Sequence, residues 1–338
     1  MAQIYKYDKE FCLESGEVLP SLEIAYDTFG ERNADSSNVV WVCHALTANS
    51  DVADWWPHTV EEGCFLDPAK YYTICANFLG SHYGTTGPHS INPLTGEKWY
   101  GDFPRITVRD MVRCHQLLAE HLGIKRVKLL IGSSIGGFQC LEWSVMQPDF
   151  AERTAFIATT PRTKPWASAF NESQRMAIEG DPTFGSRSDD AGAAGMATAR
   201  SIALLSYRGG MAYDKTQEDA NPNEASFERR VLSYQRYQGE KLRRRFNAYS
   251  YYRLSQAVDS HNLGRGRGEV EEQLKKIRSK SLVVAITSDI LFPPSDHTIL
   301  VENIPNVEYH LIDSDFGHDG FLVEHEQLND IILNFLKD

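Results

Sequence analysis

Short apolar runs rich in β-branched residues recur along the chain at 22–29, 39–43, 71–76, 127–131, 154–159, 282–287 and 307–312. Several lack polar alternation, which predicts strands buried on both faces, as in a parallel sheet. Ahead of the fourth run, Val108, Met111, Val112, His115, Leu118, Ala119 and Leu122 fall at helical spacing behind Thr107, with Asp110 three residues after it. That is an amphipathic helix with a capping box. A second helix is expected over 135–146, stopping before Pro148 because proline disfavours helical backbone in the preceding residue. Strand, helix and strand in succession predict an α/β fold with a mostly parallel sheet flanked by helices.

The pattern changes after Pro161. Strand-like runs vanish until about residue 280, and helix-favouring stretches at 169–178, 191–205 and 227–258 take their place. The strand pattern then resumes, and the chain closes on an amphipathic helix over 328–336. The simplest organisation is one α/β core, residues 1–161 and 280–338, interrupted by a helical cap at 162–279. A cleft is expected where cap meets core.

Composition narrows the function classes. There are 34 Lys plus Arg against 46 Asp plus Glu, a formal net charge of -12, and an acidic chain lacks the basic footprint of a nucleic-acid binder. The apolar runs fall far short of the ~20 residues needed to cross a bilayer, and the N-terminal residues lack a secretory signal's apolar core. The six cysteines, Cys12, Cys43, Cys64, Cys75, Cys114 and Cys140, form no C-x-x-C pair and no zinc spacing, so free thiols are expected. The reading is a cytoplasmic protein that contacts neither membrane nor nucleic acid and holds no metal.

Gly132-Ser133-Ser134-Ile135-Gly136 falls between a buried strand run and a predicted helix. A serine flanked two residues away by glycines, on a strand-to-helix turn, is the pattern of a nucleophile elbow. Ser133 is a rival, but only Ser134 has the glycines in register. A serine hydroxyl needs an imidazole to take its proton and a carboxylate to orient the imidazole, in the chain order serine, acid, histidine. His318, in Gly317-His318-Asp319-Gly320 after the last strand run, is best placed, ahead of His297, His310 and His325. Asp289 follows the 282–287 run at the carboxyl edge of the sheet, with Asp296, Asp313 and Asp315 as alternatives. An oxyanion hole needs two backbone N–H groups. Ile135, after the nucleophile, and Leu46, in His44-Ala45-Leu46-Thr47, are the candidates.

Longer blocks then make the chain recognisable: Cys43-His44-Ala45-Leu46-Thr47, Gly84-Thr85-Thr86-Gly87-Pro88, Asp102-Phe103-Pro104, Ala169-Phe170-Asn171-Glu172, Tyr234-Gln235-Arg236-Tyr237-Gln238-Gly239 and Gly317-His318-Asp319-Gly320-Phe321-Leu322. From about Leu22 to the end it resembles the homoserine O-acyltransferases of the α/β-hydrolase superfamily. The resemblance implies ping-pong acyl transfer from acetyl-coenzyme A to the hydroxyl of L-homoserine, in methionine biosynthesis. Ser134 would take the acyl group, His318 would act as base and then acid, and Asp289 would orient it. Arg208 would hold the acceptor's carboxylate and Asp319 its ammonium. The resemblance also implies a homodimer joined through the caps, and no permanently bound cofactor.

A succinyl donor, a serine acceptor and plain ester hydrolysis stay open. Ser133 and Ile135 in the elbow, Ala48-Asn49, and Gly80-Ser81-His82-Tyr83 depart from the family's commoner residues around the expected acyl pocket. Asn247 stands where the family usually has aspartate. The run Lys241-Leu242-Arg243-Arg244-Arg245 could attract coenzyme A phosphates, but reads more simply as a solvated helix face.

Overall fold

The buried runs assemble into one sheet. In the computed structural model, which describes residues 2–224 and 227–337, the strands of this sheet are β1 (Gln3–Tyr7), β2 (Leu22–Phe29), β3 (Val39–Cys43), β4 (Tyr72–Ala76), β5 (Val127–Ser133), β6 (Ala151–Ile157), β7 (Lys280–Ile286) and β8 (Val307–Ile312), and a short hairpin, Phe11–Cys12 with Val18–Leu19, stands apart from it. Their spatial order is β1-β2-β4-β3-β5-β6-β7-β8. Only β2 runs against the rest, pairing antiparallel with β1 and β4, while the remaining neighbours are parallel.

Central strands bury both faces, and their side chains alternate between two apolar layers. Val39, Trp41 and Cys43 of β3 enter the layer that also holds Phe138 and Trp143, and Val40 and Val42 enter the one with Trp56 and Phe335. β8, at the edge, exposes Tyr309, His310 and Leu311. β1 escaped the sequence reading because its burial is slight and its charges interrupt any apolar run. β6 starts and ends earlier than expected, because Ala158, at φ 45°, turns the chain out of the sheet.

The helix Val108–His121 begins at the predicted capping box, with Asp110 N–H donating to Thr107 Oγ1 at 3.3 Å and Thr107 N–H to the Asp110 carboxylate at 3.0 Å. The helix Ile135–Met146 has the expected bounds. Its Glu142 side chain, 1% exposed, is gripped by Arg109 Nε at 3.1 Å and Arg267 Nη1 at 2.7 Å. Arg109 also donates to the carbonyl of Asn262 at 3.2 Å. This buried network ties the helix after the elbow to the segment by which the chain re-enters the sheet.

Between β6 and β7 the described residues form the helices Pro165–Glu179, Ala193–Tyr207, Gly210–Gln217, Arg230–Arg243, Ala248–Ser260 and Val270–Leu274. The expected stretch 227–258 is therefore two helices. Asn247 starts the second: its Oδ1 accepts from Ser250 N–H at 2.7 Å, satisfying one of the free N–H groups of a helix start. Its Nδ2 donates to His82 Nδ1 at 2.8 Å. The odd residue at 247 thus has a structural role as a helix cap. Among the described residues no helix is long and apolar enough to cross a membrane, and no group of three or more His, Cys, Asp or Glu side chains is placed to hold a metal. The six cysteines are unpaired.

Candidate active site

β5 delivers Ser134 to a sharp turn into the helix Ile135–Met146. Its backbone sits at φ 56°, ψ -124°, a region that costs a non-glycine residue of order 1–3 kcal/mol and survives only where surroundings enforce it. They do so here. Ser134 N–H donates to the Ile157 carbonyl at 3.0 Å, and the Ser134 carbonyl accepts from Phe138 N–H at 3.2 Å and Thr159 Oγ1 at 3.0 Å. The rival Ser133 is fully buried, with its hydroxyl unpartnered among the described residues.

Gly136 brings the elbow against the end of β3. A Cβ there would lie 2.1 Å from the Cys43 carbonyl oxygen and 2.9 Å from that of His44. Both are backbone atoms and cannot swing aside. Gly136→Ala is therefore expected to destabilise the fold by about 3 kcal/mol, read as a lowered urea midpoint. An unchanged midpoint would mean that the two segments separate freely.

Leu46 and Ile135 line the same recess as Ser134. Neither Leu46 N–H nor Ile135 N–H donates to another group among the described residues. The loop carrying Leu46 is fixed by His44, which is fully buried and stacked on Phe78 with ring centroids 3.6 Å apart. His44 Nδ1 is 2.8 Å from the Ala45 carbonyl, and Nε2 is 3.2 Å from Phe78 N–H. Nδ1 must donate and Nε2 accept, so the ring is neutral. Burial pushes its pKa down to about 3.

His318 Nδ1 lies 2.7 Å from Asp289 Oδ2, both side chains being almost fully buried. The other carboxylate oxygen, Oδ1, accepts from Leu291 N–H at 2.8 Å and Phe292 N–H at 2.9 Å. His318 Nε2 is buried without a partner among the described residues. Burial disfavours the charged ring, but the Asp289 carboxylate and its hydrogen bond outweigh that, so the His318 pKa is raised. Gly317, at φ 61°, allows Gly209 N to pass 2.7 Å from where a Cβ would be. That contact brings Arg208 beside Asp319, Nε to Oδ2 at 3.3 Å. Burial raises the Asp319 pKa against the pull of Arg200, Arg208 and His318.

The rival residues are engaged elsewhere. His297 Nε2 accepts from Thr159 N–H at 3.2 Å, Asp296 pairs with Lys164 at 2.5 Å, and Asp315 pairs with Lys215 at 3.3 Å. Asp313 lies 3.2 Å from Thr287 Oγ1. His310 lies within β8 and His325 starts the last helix.

Ser134, His318, Asp319 and Leu46 line one cavity of about 370 Å³, walled on the other side by Arg200, Tyr207, Lys241 and Arg245 from the helical segment. A recess of about 20 Å³ opens beside Ser134, its wall including Ile135, Phe138, Ala167, Val258, Leu291 and Phe292. Ala48 and Asn49 line the main cavity, while His82 and Tyr83 lie under Asn247 and Arg245. Of the unusual residues, Ile135 alone lines the recess. The basic run is more than a solvated face. Arg245 lies beyond the helix end and donates to the Thr47 carbonyl at 2.5 Å and the Tyr83 hydroxyl at 2.7 Å. Arg200 and Tyr207 went unnoticed in the sequence. Their seven-residue spacing puts them on one helix face, but nothing local says what that face meets.

An elbow serine, a carboxylate-held histidine and paired backbone donors at the carboxyl edge of such a sheet define an α/β hydrolase, and a family model described as the alpha/beta hydrolase fold matches residues 38–325. A homoserine O-acetyltransferase of Cyclobacterium marinum is 42% identical over 333 residues, covering 98% of this chain and 94% of that one. The chain belongs to the homoserine O-acetyltransferase family, a group of acyltransferases on the hydrolase fold. The crystal structure of the Bacillus anthracis homoserine O-acetyltransferase superposes with a TM-score of 0.91 at 24% identity, covering 100% of this chain and 98% of that chain. An acetylester hydrolase of Corynebacterium glutamicum gives 0.87 at 22%, covering 100% of this chain and 96% of that chain. These two likenesses speak for the fold.

Proposed function

We propose that the protein transfers the acetyl group of acetyl-coenzyme A to the hydroxyl of L-homoserine, through an acetyl-serine at Ser134. The observation that carries the mechanism is the state of His318. Its Nδ1 proton is held by Asp289 at 2.7 Å while Nε2 is buried and unpartnered, on the wall of the cavity that Ser134 lines. Nε2 takes the Ser134 proton as Oγ attacks the thioester carbonyl, and Leu46 and Ile135 N–H groups receive the oxyanion. The C–S bond breaks, and the departing sulfur takes the proton from Nε2. The homoserine hydroxyl then gives its proton to Nε2 and attacks the acetyl-serine, and collapse returns the proton to Ser134. Arg208 and Asp319 hold the acceptor's carboxylate and ammonium. We assign the helical segment 162–279 as a cap on the core formed by 1–161 and 280–338. By shielding the acyl-enzyme and positioning the acceptor, it favours transfer over hydrolysis.

The recess supports acetyl over succinyl. Its 20 Å³ admits about one methyl-sized group, and its wall, apolar apart from Ser134, Asn171 and Tyr207, offers no cation to a succinyl carboxylate, whose burial would be costly. Val258→Ala is expected to raise the propionyl- to acetyl-coenzyme A ratio of kcat/KM about 10-fold. An unchanged ratio would place the acyl group elsewhere.

We place the enzyme in the cytoplasm, where free thiols persist, as a homodimer through the helical segment, whose Leu205, Met211, Leu232 and Tyr237 are exposed. The deciding experiment is thiol release from acetyl- and succinyl-coenzyme A, each with homoserine, serine or no acceptor. Homoserine-dependent release from acetyl-coenzyme A is the expected result. Release that ignores the acceptor would make the protein a hydrolase, and succinyl preference would reverse the donor assignment.

A further inference from the structure

One cation in the cavity has no assigned role. Arg200 lies on the helix Ala193–Tyr207 and reaches the cavity lined by Ser134 and His318. Its guanidinium is 5.5 Å from the centroid of the Tyr207 ring, and that ring is 5.9 Å from His318. Among the described residues Arg200 makes no hydrogen bond and no ion pair. Its neighbours differ. Arg208 commits Nε to Asp319 at 3.3 Å and lies over the Tyr234 ring. Arg245 is pinned by Thr47 and Tyr83, and Lys241 is exposed to solvent. Arg200 is half-buried, and the carboxylate whose charge it feels, Asp319, already accepts its hydrogen bond from Arg208.

We propose that Arg200 binds the carboxylate of the amino-acid acceptor, completing with Arg208 a two-arginine clamp around Asp319. This rests on the acceptor reading above. A zwitterion presents one carboxylate and one ammonium; the site answers with Asp319 for the ammonium and with two guanidinium groups, of which only Arg200 keeps its full fork free for two parallel hydrogen bonds. Arg200 lines the same cavity as Asp319, and the charges of both arginines pull the Asp319 pKa down, Arg208 also through its hydrogen bond. The company of Arg200, namely Tyr207, Asp319 and His318, is that of the reacting hydroxyl. The exposed Lys241 and Arg245 are better placed for the donor's phosphates.

The test compares homoserine with aminopropanol, which keeps the hydroxyl and ammonium but lacks the carboxylate. Transfer from acetyl-coenzyme A to each is measured for the unaltered enzyme, Arg200→Gln and Arg200→Lys, and is normalised to acetylation of Ser134 in the same preparation. In Arg200→Gln, kcat/KM for homoserine should fall roughly 10- to 100-fold relative to that for aminopropanol. Arg200→Lys, which keeps the charge without the fork, should fall between. Equal losses with both acceptors, or a loss confined to the KM of acetyl-coenzyme A, would overturn the assignment. If the unaltered enzyme acetylates Ser134 but never homoserine, the acceptor reading itself fails and takes the clamp with it.

Discussion

Replacing Ser134 with alanine is expected to lower acyl transfer about a million-fold. The elbow should survive the change, because alanine keeps the Cβ, and the hydrogen bonds that enforce φ 56° use only the backbone of residue 134. What disappears is the one hydroxyl positioned to form the acyl-enzyme. Activity over water should persist at a low level, since the Leu46 and Ile135 donors and the cavity remain and still stabilise charge on a bound thioester. Intact-protein mass after a rapid quench gives the check: the unaltered enzyme mixed with acetyl-coenzyme A should carry one acetyl group and the variant none. Transfer to homoserine retained within about 100-fold would sink the acyl-enzyme and favour direct attack by the acceptor, with His318 as its base.

The elbow was legible because its signal is local. An apolar strand, glycines in register and a helix pattern lie within about twenty residues, and each has one steric meaning. Asp289 and His318 were legible for a different reason: the expected chain order and the ends of two strand runs left few choices, though the residues are 29 positions apart. Asn247 showed only as a departure from a family habit. Its meaning came from the break between two helices, which a continuous helix-favouring run conceals. The helix Gly210–Gln217 was hidden by the glycines at its start, and glycine is a poor helix former.

Arg200, the partners of Arg245 and the network around Glu142 were illegible in principle. Arg245 meets Thr47 across 198 positions, and Glu142 meets Arg267 across 125. A charged residue on a helix is ordinarily a solvated one, and only packing reveals the exceptions. The edge strand β1 failed for a converse reason, since a strand at the rim of a sheet need not be hydrophobic.

Asp289→Asn should lower transfer near neutral pH by about 10⁴-fold, although it changes only one oxygen to an amide nitrogen. The environment dictates which way the amide lies. Oδ1 of residue 289 accepts from two backbone N–H groups at 2.8 and 2.9 Å, so an asparagine must place its oxygen there and turn Nδ2 toward His318. An N–H facing His318 Nδ1, 2.7 Å away in the aspartate, forces that nitrogen to accept and moves the ring proton to Nε2. The nitrogen that should take the serine proton is then blocked.

The pH dependence follows with a definite sign. The base is competent only when neutral, so acylation rises with pH through the His318 pKa, which Asp289 holds above its ordinary value. Without that carboxylate, burial dominates and the pKa falls. The acid limb of the acylation profile should therefore shift to lower pH in Asp289→Asn, even as its plateau drops. A plateau loss with an unshifted limb would mean that Asp289 only positions the ring and does not set its charge. A full plateau with a shifted limb would mean that the tautomer argument is wrong, and that His318 reaches the serine proton in either form.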